Sequence, residues 1–186
     1  MNLPNKLTIL RVLLIPVFVA IYLAPSITNN YFWALVVFGA ASFTDLLDGM
    51  LARKHGLVTD FGRLMDPLAD KLLIMAAVLC LLYSAVVHPV VVIVLLGREF
   101  LVTSIRLVAA GKGVVIAADK WGKLKTAFQI VWICFGLLFL WLEFSFDWRA
   151  IPYWVVFDVL TWVVLALTAL SGLNYLVKNR YLFADK

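Results

Sequence analysis

The stretch YFWALVVFGAASFTDLLDGMLAR, residues 31 to 53, begins as a membrane span and ends with two carboxylates. Apolar and small residues run from Tyr31 to Phe43, and Asp45 and Asp48 follow in what the pattern predicts to be the same helix. An ionised side chain within a bilayer costs about 3 kcal/mol or more, so such residues are usually retained for a function. The position of these acids therefore indicates a functional site at the end of a span.

The composition predicts an integral membrane protein. The chain has 186 residues, of which 65% are hydrophobic, and its mean hydropathy is +1.01. A water-soluble domain of this composition would expose too much apolar surface. Segments of the length that crosses a bilayer as a helix occur near residues 9–27, 32–52, 66–86, 88–110, 122–143 and 151–177. We therefore predict an all-α bundle of six transmembrane helices that forms a single domain over residues 1–186.

The distribution of charge predicts the orientation of this bundle. The net charge is +5, and of the sixteen Lys and Arg residues only Arg149 lies in a predicted outer loop. By the positive-inside rule both termini are cytoplasmic, which agrees with an even number of spans. A basic inner rim favours anionic lipid headgroups and phosphate-bearing substrates over nucleic acid. We expect a multi-pass protein of the inner (cytoplasmic) membrane whose functional face is turned to the cytoplasm.

The second predicted helix presents acidic residues and then small ones on one face. Asp45 and Asp48 are three residues apart, so they are neighbours on that face. Gly49 and Ala52 continue it, four and seven residues beyond Asp45. Small side chains allow a neighbouring helix or a ligand to approach the backbone closely. This face therefore suits a ligand that contacts carboxylates and backbone together.

The third predicted helix carries a second pair of acids. Asp66 and Asp70 are four residues apart and share a face. Pro67 suits the first turn of this helix, and Asp66 suits its cap. Antiparallel helices joined by a short loop are usually neighbours, so all four carboxylates can converge near the inner membrane boundary.

Four carboxylates in one pocket favour a metal site. Without compensation they would repel one another and become protonated, whereas divalent cations remove that repulsion. Oxygen ligands suit a hard ion such as Mg²⁺, and two such ions about 4 Å apart could neutralise a diphosphate. The alternative is a set of structural salt bridges between these acids and Arg53, Arg63 and Lys71.

The stretch DLLDGMLARKHGLVTDFGRLMDPLAD, residues 45 to 70, resembles the signature of the CDP-alcohol phosphotransferase family, D-x2-D-G-x2-A-R-x8-G-x3-D-x3-D. The fixed positions are filled by Asp45, Asp48, Gly49, Ala52, Arg53, Gly62, Asp66 and Asp70. The resemblance implies a membrane enzyme of six helices, commonly a homodimer, with a metal-dependent site open to the cytoplasm. It further implies that the four Asp bind two divalent ions, Mg²⁺ or Mn²⁺, and that Asp70 is the general base.

The same resemblance implies a nucleotide and diphosphate pocket lined by Gly49, Ala52, Arg53 and Gly62. The N-terminal sequence NLPNKLTILR is also similar to the helix that contacts the nucleotide in this family. It makes Asn5, Thr8 and Arg11 candidates for contacts to the CDP moiety. The alternative for these three residues is a helix cap followed by an arginine that extends to the membrane surface.

The fourth and fifth predicted helices carry the candidate acceptor residues. Arg98 and Glu99 fall near mid-membrane, and because sequence neighbours face apart we expect Arg98 to pair with a motif Asp or a substrate phosphate. Arg106, near the inner surface, is suited to bind a phosphate. Lys123 and Lys125 begin the fifth helix, where they either bind the same phosphate or mark the cytoplasmic side.

The combination of PNKLTILR, GREF with Arg106, and GKLKT resembles bacterial family members that make phosphatidylglycerophosphate. This implies CDP-diacylglycerol as donor, sn-glycerol 3-phosphate as acceptor and CMP as the second product. Inositol phosphate, serine or phosphatidylglycerol are alternative acceptors. An alternative of another class is a cation or proton-coupled transporter, in which buried Asp residues form the ion path. Asp158, in the sixth span, has no assigned role.

Overall fold

The computed structural model describes residues 3–55, 60–114, 116, 120–146 and 153–183, and over these ranges the chain is helical with short connections. The side chains of residues 3–6, 45–55, 60–64, 66, 120, 153 and 183 lie outside this description. The described α-helices are α1 Leu3–Leu23, α2 Asn30–His55, α3 Asp60–Tyr83, α4 Pro89–Gly111, α5 Lys120–Phe146 and α6 Tyr153–Lys178, followed by a 3-10 helix at Arg180–Phe183. The predicted all-α class is confirmed, and each helix overlaps one predicted segment.

Two helix starts differ most from the sequence prediction. α1 begins at Leu3 instead of near residue 9, and α3 begins at Asp60 instead of near residue 66. The prediction that Asp66 caps the third helix, with Pro67 in its first turn, is therefore wrong, because Pro67 lies inside α3. The physical reason is that hydropathy marks the apolar part of a helix, whereas backbone hydrogen bonds continue through polar residues.

Long apolar helices and an apolar surface are typical of a membrane protein. Among the described residues, Trp121–Phe146 and Trp154–Lys178 are long and apolar enough to cross a bilayer, with 26 and 25 residues. Leu7–Leu23 and Asn30–Thr44 are shorter apolar helical stretches. Large apolar side chains such as Leu107 remain largely exposed, a surface that water disfavours and lipid accepts.

The chain divides into two compact units, each described by itself below. Unit 1 comprises Met1–Val86 and Ile133–Ile151, and unit 2 comprises Val87–Trp132 and Pro152–Lys186. The first part of α5 therefore belongs to unit 2 and its last part to unit 1. The single domain over residues 1–186 stays a prediction.

In unit 1, α1 packs against both α2 and α3. On the buried face of α2, the small residues Ala34 and Ala41 lie on either side of the Phe38 ring, and all three are 0% exposed. Small residues allow close approach of helices, and the Phe38 ring lies 6.0 Å from that of Phe18 on α1. Tyr22 at the end of α1 shares a 2.6 Å hydrogen bond with Ser84 just after α3.

In unit 2, α4 packs against α6. Val102, Ile105 and Ala109 of α4 form a buried cluster with Tyr175 of α6. α4 begins at Pro89, and the side chain of His88 caps it by accepting a hydrogen bond from the Val90 amide at 3.3 Å. Because this packing fixes the mutual register of α4 and α6, polar residues on their facing sides are held in a defined arrangement.

Candidate active site

The helices that carry the signature acids belong to unit 1, and their backbones are regular at these positions. α2 is helical through Asp45 and Asp48, and α3 is helical through Asp66 and Asp70. α2 and α3 also contact each other. Of the four acids, only Asp70 has a described side chain. No group of three or more potential metal ligands occurs among the residues with described side chains, a set that omits the other three acids.

Asp70 lies on the buried face of α3. The positions four, seven and eight residues further along are Ile74, Ala77 and Val78, which are 8%, 0% and 1% exposed. Residues at this spacing share one side of a helix. Asp70 itself is half-buried at the end of this apolar stripe. The carboxylate is thus turned toward the interior of unit 1 while part of it stays accessible, which suits a group that exchanges a proton with a ligand.

Two of the three N-terminal candidates face the interior of the same unit. Thr8 and Arg11 are 1% and 0% exposed, and they share the buried side of α1 with Phe18 and Tyr22. Complete burial excludes the alternative in which Arg11 extends to the membrane surface. Thr8 is also no helix cap, because α1 begins at Leu3.

The remaining signature and nucleotide candidates lie outside the described side chains. They are Asn5, Asp45, Asp48, Gly49, Ala52, Arg53, Gly62 and Asp66. Their assignment therefore stays a prediction from the sequence.

Unit 2 contains a cluster of three charged side chains, and its pairing differs from our expectation. Glu99 Oε1 accepts a hydrogen bond from Arg98 Nη1 at 2.9 Å and another from Lys125 Nζ at 2.8 Å. The expectation that Glu99 faces away from Arg98 is wrong. Sequence neighbours leave a helix about 100° apart, but these long side chains bend toward each other and meet at their tips. The ion pair also joins α4 to α5.

Arg98 extends across the unit to α6. Its Nε donates a hydrogen bond to Ser171 Oγ at 3.1 Å. The side chain passes two glycines: a Cβ at Gly172 would lie 3.2 Å from Arg98 Cγ, and a Cβ at Gly122 would lie 3.3 Å from Nη2. Such distances are tighter than ordinary van der Waals contact, so an alanine at either position would displace Arg98. Gly172 therefore leaves space for the aliphatic part of Arg98, and Gly122 leaves space for its guanidinium.

Arg106 and Lys123 are the accessible cations among the acceptor candidates, whereas Lys125 is buried. Arg106 is exposed, donates a 3.1 Å hydrogen bond from Nε to the Tyr175 hydroxyl, and lies 5.7 Å from the centre of that ring. Lys123 is exposed, but Lys125 is only 3% exposed. Residues two apart on a helix point to nearly opposite sides. Lys123 and Lys125 therefore do not form one exposed pair.

The sequence pattern alone does not predict the contribution of α6. Ser171 and Tyr175 bind the two arginines of α4, and Gly172 makes room for Arg98. A signal was available, since Thr168, Ser171 and Gly172 interrupt an otherwise apolar span, and small or hydroxyl residues in such a span mark a helix contact.

Known proteins resemble this chain over nearly its full length. A model of the family described as CDP-alcohol phosphatidyltransferase matches residues 1–173. A Bacillus subtilis (strain 168) protein named CDP-diacylglycerol--glycerol-3-phosphate 3-phosphatidyltransferase is 42% identical, covering 96% of this chain and 95% of its own. A Rickettsia felis protein of the same name is 36% identical over 94% and 93% of the two chains. A Mycobacterium tuberculosis protein named probable phosphatidylglycerophosphate synthase is 37% identical over 95% and 81%.

Proposed function

The chain belongs to the CDP-alcohol phosphatidyltransferase family, and on that premise we propose that it transfers the phosphatidyl group of CDP-diacylglycerol to sn-glycerol 3-phosphate. The products are phosphatidylglycerophosphate and CMP. The observation that carries this proposal is 42% identity, over 96% of the chain, to a relative named for this reaction. Because the chain belongs to an enzyme family, a transporter is no longer needed to explain the acidic residues of the predicted spans.

The donor set of the signature acids fits a pair of divalent cations. Asp45, Asp48, Asp66 and Asp70 would hold Mg²⁺ or Mn²⁺, because they offer only carboxylate oxygens. α2 is helical through positions 45 and 48, and Asp70 lies on the buried face of α3. When bound, the ions would neutralise the diphosphate and the charge that develops during phosphoryl transfer.

Asp70 is proposed to act as the general base. Its carboxylate accepts the proton of the primary hydroxyl of glycerol 3-phosphate. The hydroxyl oxygen forms a bond to the phosphorus that bears diacylglycerol, the bond from that phosphorus to the oxygen of CMP breaks, and CMP leaves. The half-buried position of Asp70 supports this role, since the carboxylate is held by the fold but remains accessible.

The nucleotide is proposed to bind to the N-terminal part of unit 1. The contacts come from Asn5, Thr8, Arg11, Gly49, Ala52, Arg53 and Gly62. Burial of Thr8 and Arg11 on the inner side of α1 supports this assignment, because both side chains face the interior of the unit that contains the helices of the signature acids.

Replacement of Arg11 tests this part of the proposal. We expect Arg11→Ala to lower kcat/KM for CDP-diacylglycerol by about 10²-fold or more, and Arg11→Lys by about tenfold, because lysine keeps the charge but loses the planar fork. The exposed Arg180→Lys serves as the matched control. Unchanged kcat/KM in both Arg11 variants, with only a lower melting temperature, would show that Arg11 stabilises the fold without contacting the donor.

The acceptor phosphate is proposed to bind to residues of unit 2. Arg106 and Lys123 are exposed and suited to direct contact. Lys125 was predicted from the sequence as a third contact, and its bond to Glu99 supports an indirect contribution instead.

The placement in the membrane completes the proposal. We infer six spans, cytoplasmic termini, an active site facing the cytoplasm, and a homodimer in the inner membrane. The clustering of Lys and Arg in the predicted inner segments supports the orientation, and the family resemblance supports the dimer.

The acceptor is tested directly with purified protein in lipid nanodiscs. CDP-diacylglycerol and Mg²⁺ are supplied with one alcohol at a time: sn-glycerol 3-phosphate, inositol phosphate, serine or phosphatidylglycerol. We expect CMP release with glycerol 3-phosphate to exceed that with each other alcohol by about 10²-fold or more. Faster CMP release with another alcohol would contradict the proposed acceptor.

A further inference from the structure

The three-charge cluster of unit 2 connects three helices through one carboxylate oxygen. Glu99 Oε1 receives hydrogen bonds from Arg98 of α4 and Lys125 of α5, and Arg98 continues to Ser171 of α6. The Lys125 side chain is 3% exposed and that of Arg98 is 12% exposed. Two enclosed cations beside one anion are costly to separate, because removal of the anion leaves both cations uncompensated. The cluster is therefore a firm connection between α4 and α5.

The position of this connection links it to the proposed acceptor residues. Arg106 lies seven residues beyond Glu99 on α4, about 10 Å along the helix axis. Lys123 lies two residues before Lys125 on α5, about 3 Å along the axis. Both are on the side of the ion pair nearer to the segment that joins α4 to α5. The ion pair thus lies further from that segment than either exposed cation. Because it joins α4 to α5, it constrains the distance between these two helices near the segment.

We propose that Glu99 is a positioning residue for acceptor binding: by holding Lys125, it fixes the start of α5 so that Lys123 and Arg106 keep the spacing that a phosphomonoester requires. Glu99 does not contact the phosphate, since two anions repel each other. Lys125 acts through α5 and does not bind the phosphate. This inference rests on the proposed function, because it assumes an acceptor that carries a phosphate.

Single substitutions test whether the connection affects acceptor binding. We expect Glu99→Gln and Lys125→Met each to raise KM for sn-glycerol 3-phosphate by about tenfold while KM for CDP-diacylglycerol changes less than about twofold. The inhibition constant of inorganic sulfate, competing with the acceptor, should weaken by a similar factor. A purely structural role would lower the melting temperature without this selective change. Glu143→Gln, at the other glutamate of the chain, is the matched control.

The charge swap Glu99→Lys with Lys125→Glu distinguishes positioning from direct contact. It keeps the same three charges and allows the new carboxylate at position 125 to bind both cations of α4, since Arg98 already reaches α5 near Gly122. We expect the swap to return KM for glycerol 3-phosphate to within about threefold of wild type. A KM as high as that of Lys125→Met would overturn the proposal and assign Lys125 as a phosphate ligand.

The outcome also separates this inference from the proposed function. If the unmodified protein releases no CMP with glycerol 3-phosphate, the proposed function fails. If the unmodified protein turns over this acceptor and Glu99→Gln leaves its KM and the sulfate inhibition constant unchanged, the function stands and the positioning role is wrong.

Discussion

Substitution Asp70→Asn is expected to lower the rate of CMP release by about 10³-fold at saturating substrates, since a positioned general base contributes about 10²- to 10⁴-fold and metal binding is weakened as well. Asparagine has nearly the same shape as aspartate, so the buried face of α3 that includes Ile74 and Ala77 should stay packed. The measurement is CMP release under single-turnover conditions, together with the melting temperature and the elution volume of the purified protein.

A matched control separates the loss of a base from the loss of any carboxylate in the bilayer. Asp158→Asn removes an acid that is exposed on α6 and lies outside the signature, and we expect it to keep the rate within about twofold of wild type. If Asp70→Asn released CMP at a rate similar to that of Asp158→Asn, Asp70 would have no role as the base.

Removal of divalent cations is the second change with a large expected effect. Four carboxylates gathered at one site repel one another unless cations neutralise them, and the diphosphate of the donor adds further negative charge. We expect EDTA to reduce CMP release by about 10³-fold or more, and Mg²⁺ or Mn²⁺ in excess of EDTA to restore it.

Two observations make the chelation experiment specific. If CMP release returns within the mixing time after Mg²⁺ or Mn²⁺ is added, the fold has survived metal removal. The circular dichroism spectrum should keep its helical signal throughout. CMP release that continues at the full rate in EDTA, with metal content checked by mass spectrometry, would contradict metal dependence.

Hydropathy predicts where the helices lie, but not where they end. Each predicted span overlaps a described helix, because the bilayer requires long apolar runs. The start of α3 at Asp60 is missed, since the polar first turns of this helix carry no hydrophobic signal. Pro67 adds to the error, because a proline is usually read as a helix start although helices in membranes can contain one.

The pairing of charged side chains is harder to predict than their presence. The apolar sequence around Arg98 predicts the need for an anionic partner, but the sequence offers several anions. The choice of Glu99 depends on flexible side chains and on the space left by Gly122 and Gly172, which only the packing of helices fixes. Likewise, the sequence suggests Lys123 and Lys125 as contacts to the same phosphate. Residues two apart on a helix face nearly opposite sides, and only the packing of the helices shows that Lys125 is the buried one.

The signature is the part of the sequence that predicts most about the candidate site. Asp70 and the buried Arg11 belong to the same compact unit although they lie far apart in the chain. The contacts of α1 with α2 and α3 place the first helix and the helices of the acidic motif in one compact unit.

Direct measurement of Mn²⁺ binding tests the central claim, that carboxylates of α2 and α3 hold divalent ions for a diphosphate. Metal-free protein in nanodiscs with CDP-diacylglycerol is titrated with Mn²⁺ and followed by electron paramagnetic resonance. We expect about two tightly bound Mn²⁺ per chain, with weaker binding in Asp45→Asn and Asp70→Asn and unchanged binding in Asp158→Asn. Absence of tight Mn²⁺ binding, or binding that both signature substitutions leave unchanged, would contradict this claim.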